Sequence, residues 1–568
     1  MPSVAAMRKH LALLVAALLL LAACTEDTPG PAPRPSAGTS GPCARETDAA
    51  LSAWAVAGFS GSIAVATAGR FDCLVAYGSA DDRAARPNTA GTVFSIGSIT
   101  KAFTAAAVFR LADERKLTLD DRARTLLPQL KGPVGDATVR QLLLHTSGLK
   151  GTHANDSQPM SREQALQAID ALEVTGKPGE HYLYSNAGYT LLALIVDQVS
   201  GSGYRDYLTS RILRLPDGRT AGGFWSGQPA APQPRAVGYR EDGTAGEAGD
   251  FAGPYWAVEG NGGLAMTMKD LAAWTHALFT GGIVAADSVK AIAGAGAGRE
   301  IGDGRTEVPG WVAFDASRFG VPFLTTAGGG GDVGHNAVVV WLPQQQRVIA
   351  MASNKPRISA EQLLERIGPA IAAAKPLPAP PSPAGGGALA AATGTYQLDG
   401  GGSFEVSVRD GRLAVSAAGA DAVAALFPPP AGVTAGDLRR HEELVRELLA
   451  GRTLEGRKER AAFEAQYGPI DDVRLAGTVA QGGELRTYVT VVARGRQVLG
   501  YFALNEAGGV EAAEVPTAKP ALVFLPSGDD RYHPDDPTAG GPDVILAFAE
   551  ARMTLTGPAG STAARRVS

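Results

Sequence analysis

The segment Lys375–Gly387, KPLPAPPSPAGGG, constrains the fold of this chain most. Proline removes a backbone donor and fixes φ, so no helix or central strand runs through such a stretch. The glycines that follow make the connection flexible. The 568 residues therefore fall into two parts, each long enough for its own core. Hydrophobic residues make up 45% and charged residues 19%, which places both parts among globular rather than disordered sequences. With 52 Lys+Arg against 57 Asp+Glu, the net charge is −5. A nucleic-acid partner needs a basic stripe, and this balance argues against one.

The N-terminus reads as a targeting segment. Arg8, Lys9 and His10 precede an apolar run from Leu11 to Ala23. About a dozen apolar residues is short of the ~20 that span a bilayer as a helix, and suits the core of a secretory signal. The run ends in Leu21-Ala22-Ala23-Cys24, which resembles a bacterial lipobox; a plain signal peptide with a chance cysteine is the alternative. Residues 1–23 are thus expected to be a lipoprotein signal and 24–42 a Pro-, Gly- and Ser-rich tether. Cys24 would carry the lipid, anchoring the protein in the cell envelope on the extracytoplasmic side. Of the three cysteines, Cys43 and Cys73 remain. In an oxidising compartment they either form a disulfide or stay free thiols. The eight histidines are scattered, so no metal site and no cofactor are expected.

Residues 43–375 mix amphipathic helices with short apolar strands. Ala49–Ala57 reads as a helix, and Ser62–Ala68 and Phe71–Tyr77 as a strand pair. A helix-rich stretch to about Leu278 follows. Strands at Ala337–Leu342 and Arg347–Ala352 precede a helix over Ala360–Ala374. Strands at both ends with helices between predict an α/β sandwich whose sheet draws on both termini. Residues 376–390 are the linker and 391–556 a smaller α+β accessory domain. There, strands alternate over Gly394–Val415 with turns at Gly400–Gly402 and Asp410-Gly411. Helices follow at Asp437–Leu449 and Glu455–Ala465, then strands at Thr487–Arg494 and Gln497–Leu504. Residues 557–568 read as a disordered tail.

Chemistry concentrates in Phe94-Ser95-Ile96-Gly97-Ser98-Ile99-Thr100-Lys101-Ala102-Phe103. On a helix, Ser98 and Lys101 lie on adjacent turns and meet. A helix starting near Ser95 would put Ser98 among free backbone N–H groups at the positive end of the dipole. A desolvated Lys101 could accept the Ser98 proton. The spacing alone is weak, since Ser147-Gly148-Leu149-Lys150 repeats it; that copy reads as a helix end or turn. The second element is Tyr184-Ser185-Asn186. Its phenol can relay a proton, and its amide can hold Lys101 and a substrate. The plainer reading is a Tyr at a core edge and an Asn capping a helix.

These residues resemble the serine β-lactamase and penicillin-binding-protein superfamily, nearest its class C β-lactamase and esterase branch, over about residues 44–375. Four segments carry the resemblance in family order: Phe94 to Phe103, Leu142 to Leu149 with His145, Pro178 to Gly188, and Gly262-Gly263-Leu264 opening a late helix. The resemblance implies a β-lactamase/transpeptidase fold, an antiparallel sheet flanked by helices plus an all-helical region. It implies Ser98 as acylated nucleophile, Lys101 as its activator, Tyr184 as general base and acid, and Asn186 as substrate-positioning residue. His145 would be structural.

The family's third motif, a Lys or His followed by a small residue and a Gly, departs here. Counting back from Gly334 places the basic position on Gly328, or with a slip on Ala327 or Thr326; no register supplies a cation. Arg305 and Arg318 are candidate replacements. Gly328, Gly329, Gly330 and Gly331 could still bring backbone close to substrate, with an oxyanion donor from Gly331. The expected function is a serine hydrolase acting on small esters, amides, D-peptides or peptidoglycan-like substrates, with weak β-lactamase activity. The alternative is a degenerate envelope-binding lipoprotein on the same scaffold. Oligomeric state is left open.

Overall fold

The computed structural model describes residues 41–568 apart from 157, 241–242, 247–251, 295–297, 331–333, 381–388, 410–411, 431, 482–483, 505–507, 529, 539–540 and 559. The signal segment, the tether to residue 40 with Cys24, Gly331, the Asp410-Gly411 turn and most of the linker lie outside the described residues. Among the described residues no helix is long and apolar enough to cross a membrane.

An eight-stranded sheet organises the first part. In spatial order its strands are Arg70–Tyr77, Gly61–Thr67, Arg347–Ser353, His335–Leu342, Phe323–Gly330, Trp311–Phe314, Arg305–Val308 and Arg299–Gly302. Every pair is antiparallel. Gly61 pairs with Ser353 and Thr67 with Arg347, so the sheet joins the two ends of this part, as the strand pattern predicts. The central strands are buried almost throughout, because both faces are covered. One face packs on the helices Arg45–Val56 and Ala360–Ala372, through Leu51, Trp54, Leu363 and Ile367. The other packs on the helices Thr100–Asp113 and Met268–Phe279. Cys43 and Cys73 form a disulfide, with Cα atoms 4.0 Å apart, that ties the start of the first helix to the outermost strand.

Two local expectations change. The nucleophile helix starts at Thr100, not near Ser95, and is preceded by a 3-10 turn over Gly97–Ile99. Gly263 does not open a helix: Leu264–Met266 form a short strand paired with Phe94–Ser95, and the helix starts at Met268. That pairing holds the approach to Ser98 in place.

The second part is a closed barrel of eight strands, beginning with Gly394–Gln397 and ending with Gly560–Arg566. Between its strands Arg412–Ala418 and Ala521–Gly528 sit three helices and a four-stranded sheet, Ile470–Gln481, Glu484–Ala493, Arg496–Leu504 and Val510–Glu514. Phe404, Val415, Phe524, Tyr532 and Leu546 fill the core with Val423 and Leu426 of the helix Ala420–Leu426. Helices Ala435–Leu449 and Leu454–Tyr467 cover the inserted sheet. The tail expected to be disordered is the strand that closes the barrel. Tyr396 and Gln397 pair with Arg566 and Arg565, Ala564 is buried, and Arg566 donates to the Ala391 and Thr393 carbonyls. Its small and charged residues carry no apolar pattern; backbone pairing on both edges orders it.

Candidate active site

The helix Thr100–Asp113 is buried on every side from Thr100 to Phe109, as expected for a helix running through a core. Lys101 is therefore 4% exposed. Its Nζ donates to Ser98 Oγ at 2.9 Å, to Asn186 Oδ1 at 2.8 Å and to the Asn261 carbonyl at 3.1 Å. Tyr184 places its hydroxyl 2.9 Å from the same Ser98 Oγ, and Lys101 Nζ lies 4.7 Å from the Tyr184 ring centre. Ser98, Lys101, Tyr184 and Asn186 thus converge from a 3-10 turn, a helix, a loop and a second helix. Tyr184 is 49% exposed, so its hydroxyl faces both the serine and solvent. Lys101 and Tyr184 both direct a donor at Ser98 Oγ, and of the two only the phenol is open to a departing group.

The helix Asn186–Ser200 is capped by Ser185, whose side chain accepts from the Gly188 N–H. Asn186 is not the cap and turns to Lys101. Asn261 is a member of the site that the sequence reading missed. Its own amide donates to Thr190 Oγ1 and to the Ala257 carbonyl, which aims its backbone oxygen at Lys101. Its position among glycines, Gly260-Asn261-Gly262-Gly263, is the available signal.

His145 holds Tyr184 from behind. Its carbonyl accepts from Leu183 N–H at 2.8 Å, its Nδ1 accepts from Ser185 N–H at 3.0 Å, and its ring lies 4.5 Å from that of Tyr184. These bonds fasten both sides of residue 184 and sustain a left-handed backbone at His145, φ +53°, which is uncommon away from glycine. Burial and the nearby Lys101 charge push the His145 pKa well below its ordinary value, so the ring is neutral. With Nδ1 accepting, the proton sits on Nε2. Behind it stands Glu307, 5% exposed, with Oε1 at 3.9 Å from His145 Nε2 and Oε2 accepting from Tyr182 OH at 3.2 Å. Burial pushes the Glu307 carboxyl up to about 8. Nothing in Arg305-Thr306-Glu307-Val308 marks a buried acid.

The strand Phe323–Gly330 closes the site and corrects the third-motif register. Phe323 and Ala327 pack toward the terminal helices, whereas Leu324 packs toward the nucleophile helix. Side chains alternate along a strand, so Thr326 and Gly328 share the nucleophile face. A β-carbon on Gly328 would collide with the Ser98 nitrogen and the Ile96 carbonyl, and one on Gly97 with the Gly329 nitrogen. Gly328 is therefore the glycine that lets the strand lie against the nucleophile turn, not the position of a missing cation. Two residues earlier on the same face stands Thr326. Neither candidate replacement is unengaged: Arg318 stacks on Phe314 and Arg305 pairs with Asp303. Ser147, the second Ser-x-x-Lys serine, is 1% exposed and accepts from Leu149 N–H. Among the described residues no group of three or more His, Cys, Asp or Glu could hold a metal ion.

A central antiparallel sheet lies between two helical layers, with a serine, a lysine and a tyrosine converging beside a glycine-rich strand, the arrangement of a serine hydrolase. The family model for Beta-lactamase matches residues 54–372, and the chain belongs to that family. It is 29% identical over 254 residues to the putative penicillin-binding protein PbpX of Bacillus subtilis (strain 168), covering 44% of this chain and 63% of that protein. It is 36% identical over 131 residues to protein flp of Staphylococcus aureus (strain COL), covering 22% and 26%. The chain thus spans less than two thirds of the length of these curated relatives. The octameric penicillin-binding protein homologue from Pyrococcus abyssi shares the fold over 84% of this chain and 99% of its own, with 19% identity and a TM-score of 0.51.

Proposed function

We propose that this protein is an exported, lipid-anchored serine hydrolase that forms an acyl intermediate on Ser98 and prefers small neutral esters. The observation that carries the reading is the double contact on Ser98 Oγ, 2.9 Å from both Lys101 Nζ and Tyr184 OH. A serine hydroxyl is a weak nucleophile until a neighbouring base takes its proton. Here Lys101, fixed by Asn186 and the Asn261 carbonyl, keeps the serine oriented. Tyr184, open to solvent, shuttles the proton to the leaving alcohol and later activates water. The Ser98 N–H stands at the start of the nucleophile helix, where dipole and free donors favour a developing oxyanion.

Substrate choice follows from Thr326. β-Lactams and D-peptides carry a carboxylate near the scissile bond, and a Lys or His at this position would meet it. A charge-assisted hydrogen bond is worth about 1.5–3 kcal/mol, or ~10- to ~150-fold. Neutral esters lose nothing when threonine replaces the cation. We therefore expect kcat/KM for a short-chain nitrophenyl ester to exceed that for a chromogenic cephalosporin. Efficient cephalosporin turnover with little ester hydrolysis would overturn this choice. Inertness toward every substrate and every serine probe would favour the binding-lipoprotein reading instead. The Leu-Ala-Ala-Cys segment supports the anchor, and mass spectrometry should find diacylglyceryl-Cys24 as the mature N-terminus. An unmodified peptide beginning elsewhere would remove it.

A further inference from the structure

Glu307 is a buried carboxyl that acyl transfer leaves without a task. It lies on the strand Arg305–Val308 and reaches the catalytic set through two aromatic side chains. Tyr182 donates its hydroxyl to Oε2 at 3.2 Å. His145 faces Oε1 across 3.9 Å, too long for a hydrogen bond and short for a charge. The rings of Tyr184 and Tyr189 lie 4.5 and 5.0 Å from the imidazole.

The charged groups around Glu307 leave it unpaired. Arg299, directly opposite on the neighbouring strand, donates to the Glu180 carbonyl. Arg305, two residues along, is paired with Asp303. The flanking strand Trp311–Phe314 opposes it with Val312. From the nucleophile helix, Lys101 acts on it only through space, its three donors being used on Ser98, Asn186 and Asn261. Among the described residues no Lys or Arg forms an ion pair with it. A carboxyl so placed favours its protonated form.

We propose that Glu307 is a positioning residue for acylation and works in its uncharged form. Protonated, it backs His145 and Tyr182, and through them Tyr184, without placing charge behind Lys101. Ionised, it attracts the Nε2–H of His145, shifting the ring that packs against Tyr184. This inference rests on the hydrolase reading above. The carboxyl, raised to about 8, ionises within an accessible range, so it predicts an alkaline loss of activity.

The experiment is kcat/KM for a short nitrophenyl ester from pH 6 to 10, corrected for spontaneous hydrolysis, in the full chain. Wild type should fall several-fold between pH 7 and 9. Glu307→Gln, which keeps the shape without the charge, should stay within about threefold of wild type at pH 7 and lose most of that fall. Tyr182→Phe removes the hydroxyl that helps the ionised form and should move the fall to higher pH, a readout that survives if Glu307→Gln does not fold. An alkaline fall of the same size and midpoint in both variants, or a flat wild-type profile, would overturn the proposal. A fluorophosphonate probe on wild type at pH 7 separates the two levels. Absence of a Ser98 adduct would sink the hydrolase reading, whereas labelling with an unchanged profile in both variants would sink only the role of Glu307.

Discussion

Two serines of this chain precede a lysine by three residues, and their surroundings separate them. Ser98 shares its Oγ between Lys101 and Tyr184. Ser147 is packed into the turn that carries His145, its hydroxyl facing the Leu149 N–H. We therefore expect Ser98→Ala to abolish labelling by a fluorophosphonate or penicillin-type probe. Ser147→Ala should leave the labelled residue unchanged and cost only ~1 kcal/mol of stability, since a small buried hydrogen bond is lost. Intact-mass and peptide mass spectrometry read both outcomes. An adduct on Ser147 would reverse the assignment. Lys101→Met, which keeps the stem but removes the amine, should slow acylation by orders of magnitude.

At the scale of elements, the site depends on how closely one strand approaches one turn. The turn Gly97–Ile99 and the strand Phe323–Gly330 touch through Gly97, Gly328 and Gly329, none of which has room for a β-carbon. That contact sets the register of the strand and so decides which side chain looks at the substrate. Counting along the sequence puts Gly328 there; alternation leaves Thr326 and Gly328 on one face, and the lack of room for a β-carbon at Gly328 leaves Thr326 as the side chain on it. The two assignments give opposite mutational outcomes. Thr326→Lys should raise kcat/KM for a chromogenic cephalosporin by about tenfold or more while changing ester turnover little. Gly328→Lys should depress both, because its side chain must displace the Ser98 backbone. Parallel kinetics on the two substrates distinguish them, and an equal response of both substrates to Thr326→Lys would refute the register.

At the scale of the whole molecule, the barrel and the hydrolase part are held by a buried carboxylate. Asp535, whose side chain is 5% exposed, pairs with Arg357 at 2.6 Å and Arg412 at 3.1 Å. Arg357 belongs to the hydrolase part, where it also donates to the Ala57 carbonyl, and Arg412 opens a barrel strand. Losing Asp535 leaves two partly hydrated arginines. The cost should fall near 2 kcal/mol, between the ~1 of a surface pair and the 3–5 of a fully buried one. The linker also belongs partly to the hydrolase: Trp54 Nε1 donates to the Pro378 carbonyl, and Leu377 packs against the core beneath it. A chain ending at residue 380 should therefore keep hydrolysis of small esters, whereas one ending at 374 should be less stable by a hydrogen bond and an apolar contact. Thermal unfolding and ester kinetics of the two truncations test this. A folded but inactive chain ending at 380 would mean that the barrel completes the site.

The sequence by itself determined the parts whose causes are local. The proline–glycine segment carries no helix or strand pattern, and the barrel strands begin after it. The periodicity of Arg347–Ser353 and Ala360–Ala372 appears in the residues because one strand and one helix face bury their own side chains. Ser98, Lys101, Tyr184 and Asn186 were legible because their spacing and order resemble a family pattern. What the tertiary structure decided rests on contacts between residues far apart in the chain. Thr326 is the side chain on the nucleophile face of its strand because Gly328, pressed against Gly97 and Ser98, has no room for one. The last residues form a strand because the barrel offers them two open edges, although their composition is that of a tail. Glu307, in an unremarkable acidic hairpin, becomes a carboxyl that burial in the fold pushes up to about 8, against the lowering pull of Tyr182 and Lys101. Periodicity and spacing record what a segment needs; desolvation and steric exclusion depend on what the rest of the chain brings to it.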